Sequence, residues 1–87
     1  HFYFSCRALD LISGLSDPSE EGASLKKAMI AASRKQTLLL DNSKFGIKAF
    51  AHIAGLDCLQ EIITDSETPV DILKKLEKIG IRVTRTA

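Results

Sequence analysis

Thr37-Leu38-Leu39-Leu40-Asp41-Asn42-Ser43-Lys44-Phe45-Gly46 is the stretch on which the fold of this chain turns. Residues 37 to 40 make a continuous apolar run of strand length. Continuous rather than alternating character suggests a strand buried on both faces, as in a parallel sheet. With no spacer there follow a carboxylate, an amide, a hydroxyl and an ammonium, closed by an aromatic residue and a glycine. Polar groups at the carboxyl end of a strand are where open α/β sheets bind ligands. An ordinary turn has the same composition, because Asp and Asn are common turn formers and Gly ends many loops. The flanking chain has to decide between the two.

Upstream, residues 2 to 5 are short and aromatic and favour a strand. Residues 6 to 18 mix Gly14, Ser13, Ser16, Asp17 and Pro18 with a few apolar residues, which fits a long loop or a short hairpin. Asp17-Pro18 with Glu20 three residues after Asp17, or Ser19 as cap, starts a helix. Leu25, Ala28, Met29 and Ala32 then fall at i, i+3, i+4 and i+7, the apolar stripe of an amphipathic helix. A strand, a helix and the strand at 37–40 form a β–α–β unit, and such crossovers are right-handed almost without exception.

Downstream, residues 49 to 54 alternate large and small and suit a strand or a helical turn, with strand favoured. Leu59 to Thr64 is another strand, and it too runs into polar residues, Asp65 and Ser66. Thr68-Pro69-Val70-Asp71 is a helix start with Thr68 as cap and Pro69 at the first position. Ile72, Leu73, Leu76 and Ile79 make the inner face of that helix, and Gly80 its C-terminal stop. Residues 81 to 84 give a last short strand. The expected architecture is α/β: an open, mostly parallel sheet with flanking helices. If strands 37–40 and 59–64 are parallel neighbours, Asp41 and Asp65 share one edge of it.

Composition narrows the function. The 87 residues make one domain or part of one. The formal charge of +1 is too balanced for a module whose main task is gripping a phosphate backbone, because such modules carry a basic stripe. Cys6 and Cys58 lie far apart without metal-ligand spacing and read as free buried thiols of a cytoplasmic protein. No apolar run approaches the roughly 20 residues that span a bilayer. The chain opens on His1-Phe2-Tyr3-Phe4, with no Met and no secretory leader, so a piece of a longer protein is expected.

Ser43, His52 and an Asp supply the residue types of a hydrolase triad, but there is no G-x-S-x-G elbow and His52 sits in an apolar segment. Neither a glycine-rich phosphate fingerprint nor a zinc pattern occurs. What remains is Asp41, Ser43 and Lys44, with Asp10 from the first loop and Lys26 from the first helix as further candidates. A carboxylate accepts from sugar hydroxyls and a Lys is a point charge for phosphate. Together they suit a small phosphorylated polyol. No cofactor, metal or catalytic residue is expected.

Three segments resemble the C-terminal sensor domain of the DeoR family of bacterial transcriptional repressors. They are Phe4-Ser5-Cys6-Arg7-Ala8-Leu9-Asp10 with Gly14-Leu15, then Lys26-Lys27-Ala28-Met29-Ile30, and most specifically Leu40-Asp41-Asn42-Ser43-Lys44-Phe45-Gly46 followed by Ile62-Ile63-Thr64-Asp65. The resemblance implies a fold shared with ribose-5-phosphate isomerases and CoA transferases. It also implies a phosphorylated sugar effector that releases the repressor from operator DNA. On this reading the DNA contact comes from an N-terminal winged helix-turn-helix outside these residues, and the 87 residues are the C-terminal part of a homo-oligomeric sensor. Isomerases of that superfamily carry Arg-Glu-Lys where this chain has Leu25-Lys26-Lys27, so Lys26 stands where they keep a catalytic carboxylate. A cation there cannot accept a proton. A pocket that binds without chemistry is therefore expected, against two alternatives: a divergent sugar-phosphate isomerase and a purely structural oligomerisation piece. The family's usual Gly-containing run is replaced here by Cys6-Arg7-Ala8.

Overall fold

The computed structural model describes residues 1–86. The strands are β1 Phe2–Phe4, β2 Ala8–Asp10, β3 Gly14–Asp17, β4 Gln36–Leu39, β5 Ala51–Ala54, β6 Glu61–Asp65 and β7 Arg82–Thr86. The helices are α1 Glu20–Ala32 and α2 Val70–Lys78, and short 3₁₀ turns occupy Asn42–Lys44 and Leu56–Cys58. The pattern of strand, helix and strand is the one expected, with shifts of one or two residues at the ends.

Two sheets form. Strands β1, β4, β6 and β7 lie side by side in that order, every pair parallel. Tyr3 stands opposite Thr37, Thr37 opposite Glu61 and Glu61 opposite Arg82, while Phe4, Leu38, Ile62 and Val83 make the next row. Strands β2, β3 and β5 form a second, antiparallel sheet. Residues 6–18 are thus the hairpin rather than the long loop. Residues 49–54 do contribute a strand, but to this second sheet and not to the parallel one. The pairing of β5 with β3 joins residues more than thirty apart in sequence, beyond the reach of any local pattern.

The row Phe4, Leu38 and Ile62 faces the core, together with Leu9 and Leu15 from the hairpin, Ile53 from β5 and Leu76 from α2. Leu9, Leu15, Leu38, Ile62 and Leu76 are wholly buried. Removing such side chains from water contributes about 1.5–3 kcal/mol each.

Helix α1 departs from the reading of its stripe. Ser19 caps it, its hydroxyl accepting from the Gly22 N–H at 3.2 Å. The expected stripe of Leu25, Ala28, Met29 and Ala32 faces outward: all four are exposed. Ala23 and Ile30 make the inner contacts instead. The salt bridge from Lys26 to Asp17 of β3 turns that side of the helix inward. In α2 the cap also differs. Pro69 occupies the N-cap position without a side-chain bond. The Thr68 hydroxyl pairs with that of Thr64 at 2.8 Å, inside the protein. Gly80 does close the helix, at a φ of 96° that favours glycine.

Candidate functional site

The residues 41–46 sit where β4 ends, and three strands hold them. From β6, the Asp65 carboxylate accepts from the Asn42 backbone N–H at 3.0 Å and from the Asn42 amide nitrogen at 3.0 and 3.1 Å. From β2, the Leu9 carbonyl accepts from the Gly46 N–H at 2.7 Å, and Leu9 bridges to Phe45. Phe45 is buried in the core, which anchors the end of the turn. Gly46 leaves it with φ 79°, a backbone conformation that side chains disfavour. Parallel pairing of β4 with β6 places Asp41 and Asp65 on one sheet edge, as expected.

Within the turn, Asp41 is the organising group. Its Oδ1 accepts from the Ser43 N–H at 2.9 Å and from the Ser43 hydroxyl, and its Oδ2 accepts from Lys44 Nζ at 2.7 Å. These bonds favour the charged carboxylate. The Lys44 ammonium first, then the Ser43 hydroxyl and N–H, hold its pKa down from 3.8 to about 2. Asp65 is also lowered, chiefly by the Asn42 N–H, against opposition from desolvation first and then from the charge of Asp41. The group is therefore Asp41, Asp65 and Lys44, two negative charges and one positive. Lys44 keeps donors beyond the one it gives Asp41.

Ser5, Cys6, Leu39, Leu40, Asp41 and Lys44 line a hollow of about 120 Å³ at the carboxyl ends of β1 and β4. That is well under the roughly 300–1,000 Å³ of a pocket that encloses a small molecule. These residues alone can hold part of a ligand. A wider hollow of about 440 Å³, lined by Lys35, Gln60, Glu61, Glu77, Gly80, Ile81 and Arg82, opens at the amino ends of the strands. Open α/β sheets bind at the other end, and this lining mixes both charges with no common target.

Asp41, Ser43 and Lys44 thus come together, whereas Asp10 and Lys26 have other partners. Asp10 Oδ2 accepts from the Ile12 N–H, the Ser13 N–H and the Ser13 hydroxyl at 3.1, 2.7 and 3.0 Å. It closes the β2–β3 hairpin, and these bonds from Ser13 above all lower its pKa. Lys26 Nζ donates to Asp17 Oδ2 at 2.5 Å, and the other Asp17 oxygen takes the Arg7 N–H at 3.0 Å. Ser43 and His52 do not meet: the His52 ring bonds the Ser13 carbonyl at 2.9 Å, so its Nε2 is the donor. Cys6 and Cys58 are free thiols, both pushed up mainly by burial. The sequence reading passed over two contributors, Asn42 and Asp65 as a clamp and Ser5–Cys6 as a wall. The signal for the first was available in two strands ending in Asp-containing turns.

No helix among the described residues is long and apolar enough to cross a membrane. The family model for the DeoR C-terminal sensor domain matches residues 1–66. An uncharacterized HTH-type transcriptional regulator of Bacillus subtilis, YulB, is 40% identical over 94% of this chain and 32% of its own length. The HTH-type transcriptional regulator GlpR of Haloferax volcanii is 33% identical over 93% of the chain and 32% of its own. The L-fucose operon activator of Haemophilus influenzae is 33% identical over 90% and 31%. The chain spans about a third of the length of these curated relatives. With its parallel sheet and flanking helices, it belongs to the family of DeoR C-terminal sensor domains.

Proposed function

We propose that these residues form part of the effector site of a sugar-responsive transcriptional regulator, and that the effector is a phosphorylated sugar. The observation that carries this is the turn itself. Asp41, Ser43 and Lys44 are fixed by one another beside a hollow at the carboxyl end of β4. Preset polar groups of this kind bind without further ordering cost. The carboxylates of Asp41 and Asp65 suit sugar hydroxyls, which donate. Lys44 supplies the point charge for a phosphate. With two negative charges against one positive, the turn cannot neutralise a phosphate alone, so the remaining cationic groups come from outside these residues. Asp10 and Lys26 act at one remove, Asp10 by fixing the hairpin and Lys26 by joining α1 to β3.

The site binds and does not turn over. Lys26, at the position where the related isomerases keep a carboxylate, is occupied by Asp17. The relatives named above are regulators of transcription, which fits this reading. Effector binding would change the population of DNA-competent homo-oligomers, through different affinity for the two states. DNA contact would come from a helix-turn-helix domain elsewhere in the polypeptide. As a regulator of transcription it would act in the cytoplasm.

The test is a thermal-shift screen of the intact regulator against sugar phosphates and their unphosphorylated parents. A ligand at about 100 times its dissociation constant adds roughly 2.7 kcal/mol. A shift with one phosphate, weaker with its parent sugar and lost in Lys44→Ala, is expected. An equal shift in Lys44→Ala would remove Lys44 from the site. Conversion of ribose 5-phosphate to the ketose would overturn the non-enzymatic reading.

A further inference from the structure

Helix α1 turns an apolar face away from the protein. Its inner side is made by Ala23 and Ile30, which meet the core, and by Lys26, which meets Asp17. At about 3.6 residues per turn, Glu21, Leu25, Ala28 and Ala32 lie on the opposite side, with Met29 beside them. All five are exposed, Leu25 by 67% and Met29 by 42%. This face therefore adds little to the folding of a single chain. Single exposed apolar residues are ordinary, whereas a contiguous apolar stripe with polar ends marks a contact surface.

The two ends of this face carry opposite charge. Glu20 and Glu21 open the helix, and Arg34 and Lys35 follow directly after its Ser33 cap. All four side chains are exposed, and none makes an ion pair with another described residue. Between the charged ends, Ala28 and Ala32 keep the surface low while Leu25 and Met29 stand out from it. Phe50, 79% exposed, stands at the start of β5, where Ala51 lies opposite Asp17 and close to the first turn of α1.

We infer that α1 pairs antiparallel with α1 of a second copy of this chain, about a two-fold axis at Ala28. Each acidic start then meets the other copy's basic end, so the pair gains two sets of opposed charges. The patch is its own complement, which an isologous interface requires. A parallel pair would set like charges together. Leu25 and Met29 of one copy fill the spaces beside Ala28 and Ala32 of the other, the ridges-into-grooves fit of helices packed roughly 8–10 Å apart. Helices this short bury less than the roughly 1,200–2,000 Å² of a stable interface, and the Phe50 ring widens the contact. An unrelated segment would need its own opposite charges at the right spacing, whereas a second copy supplies them by symmetry. The pairing stands whether or not the effector is a sugar phosphate.

The test is disulfide formation between copies of the intact regulator under mild oxidation, mapped peptide by peptide so that Cys6 and Cys58 are distinguished. Ala28→Cys is compared with Ile12→Cys, whose parent side chain is 95% exposed on the hairpin. Ala28→Cys should join two copies at least about tenfold faster, because thiols held at an axis react at a high effective concentration. Adding Glu20→Lys and Glu21→Lys should slow that reaction severalfold. Adding Arg34→Glu and Lys35→Glu as well should restore it, because the opposed charges then match again. Equal rates for Ala28→Cys and Ile12→Cys would overturn the inference. So would an Ala28→Cys thiol that forms no disulfide because another segment of the polypeptide shields it. Slowing without restoration would overturn the antiparallel arrangement.

Discussion

Asp65 holds Asn42 through both carboxylate oxygens, joining the end of β6 to the first residue after the Asp41 cap. The same backbone N–H that an anionic ligand would seek at a turn is taken by a carboxylate of the protein itself. That places the negative charge of Asp65 beside Asp41 and leaves Lys44 as the cation of the cluster. The turn is thereby matched to groups that donate hydrogen bonds, with one point charge at its rim.

This arrangement fixes a pH dependence. Asp41 lies at about 2 against an ordinary 3.8, and Asp65 is also lowered. Folding therefore favours their ionised forms. The contribution is complete above the unfolded value near 3.8 and is lost as pH falls toward about 2. Carboxyl-carbon NMR titration should show the Asp41 midpoint near the lower value. Lys44→Ala removes its largest cause and should move that midpoint up toward 3.8. Asn42→Ala removes only the side-chain amide bonds and keeps the backbone N–H that chiefly lowers Asp65, so Asp65 should rise by less than Asp41 does. An Asp41 midpoint unmoved by Lys44→Ala would mean that the ion pair does not form in solution.

The two glycines bracketing this region separate strain from crowding. At Gly14, φ is 93° and an added Cβ would meet the Ala54 carbonyl oxygen at 2.3 Å. Gly14→Ala therefore combines backbone strain with overlap against a neighbouring strand, a cost of roughly 2–4 kcal/mol. Gly46 has a similar φ of 79° with nothing near its added Cβ. Gly46→Ala should cost about 1 kcal/mol, the left-handed penalty alone. Urea unfolding of the two variants reads the difference. Equal losses would show that the Gly14 contact relaxes.

The outward stripe of α1 gives a prediction that runs against its sequence. Leu15→Ala removes a wholly buried side chain and should cost about 2–5 kcal/mol. Leu25→Ala, at a position 67% exposed, should stay within about 0.5 kcal/mol. Periodicity made Leu25 and Met29 look like core because it reports that one helix face is apolar, not which surface lies opposite. Here Asp17 captures Lys26 and fixes the rotation of the helix. The stretch 37–46, by contrast, was legible because its composition changes abruptly from apolar to polar at Leu40 and Asp41, a local signal. The shared edge of Asp41 and Asp65 was legible in two strands that both end in Asp-containing turns, whereas the β3–β5 pairing was not, since it joins residues far apart in sequence. Asp10 is ambiguous in sequence for a related reason: a carboxylate near a strand end serves a ligand or its own turn, and its bonds to Ser13 show it serving the turn.

The last prediction concerns Lys26, which the resemblance to sugar-phosphate isomerases sets at the position of their carboxylate. Restoring one by Lys26→Glu would be expected to recover proton transfer if the loss of chemistry rested on that residue alone. The structure argues otherwise. The Asp17 side chain is 6% exposed and its Oδ2 meets Lys26, so a second carboxylate would face it directly. Two like charges in a half-buried site repel, and removing the cation alone leaves Asp17 with the Arg7 N–H. Breaking a buried pair from one side costs about 3–5 kcal/mol. Lys26→Glu should therefore destabilise the regulator and yield no turnover. Lys26→Met should lose a similar amount, and adding Asp17→Leu should recover much of it, because the stranded charge is then gone. Denaturant melts of the three variants, with ribose 5-phosphate turnover measured alongside, check both parts. Stable, active Lys26→Glu protein would show that this site kept its chemistry within one substitution.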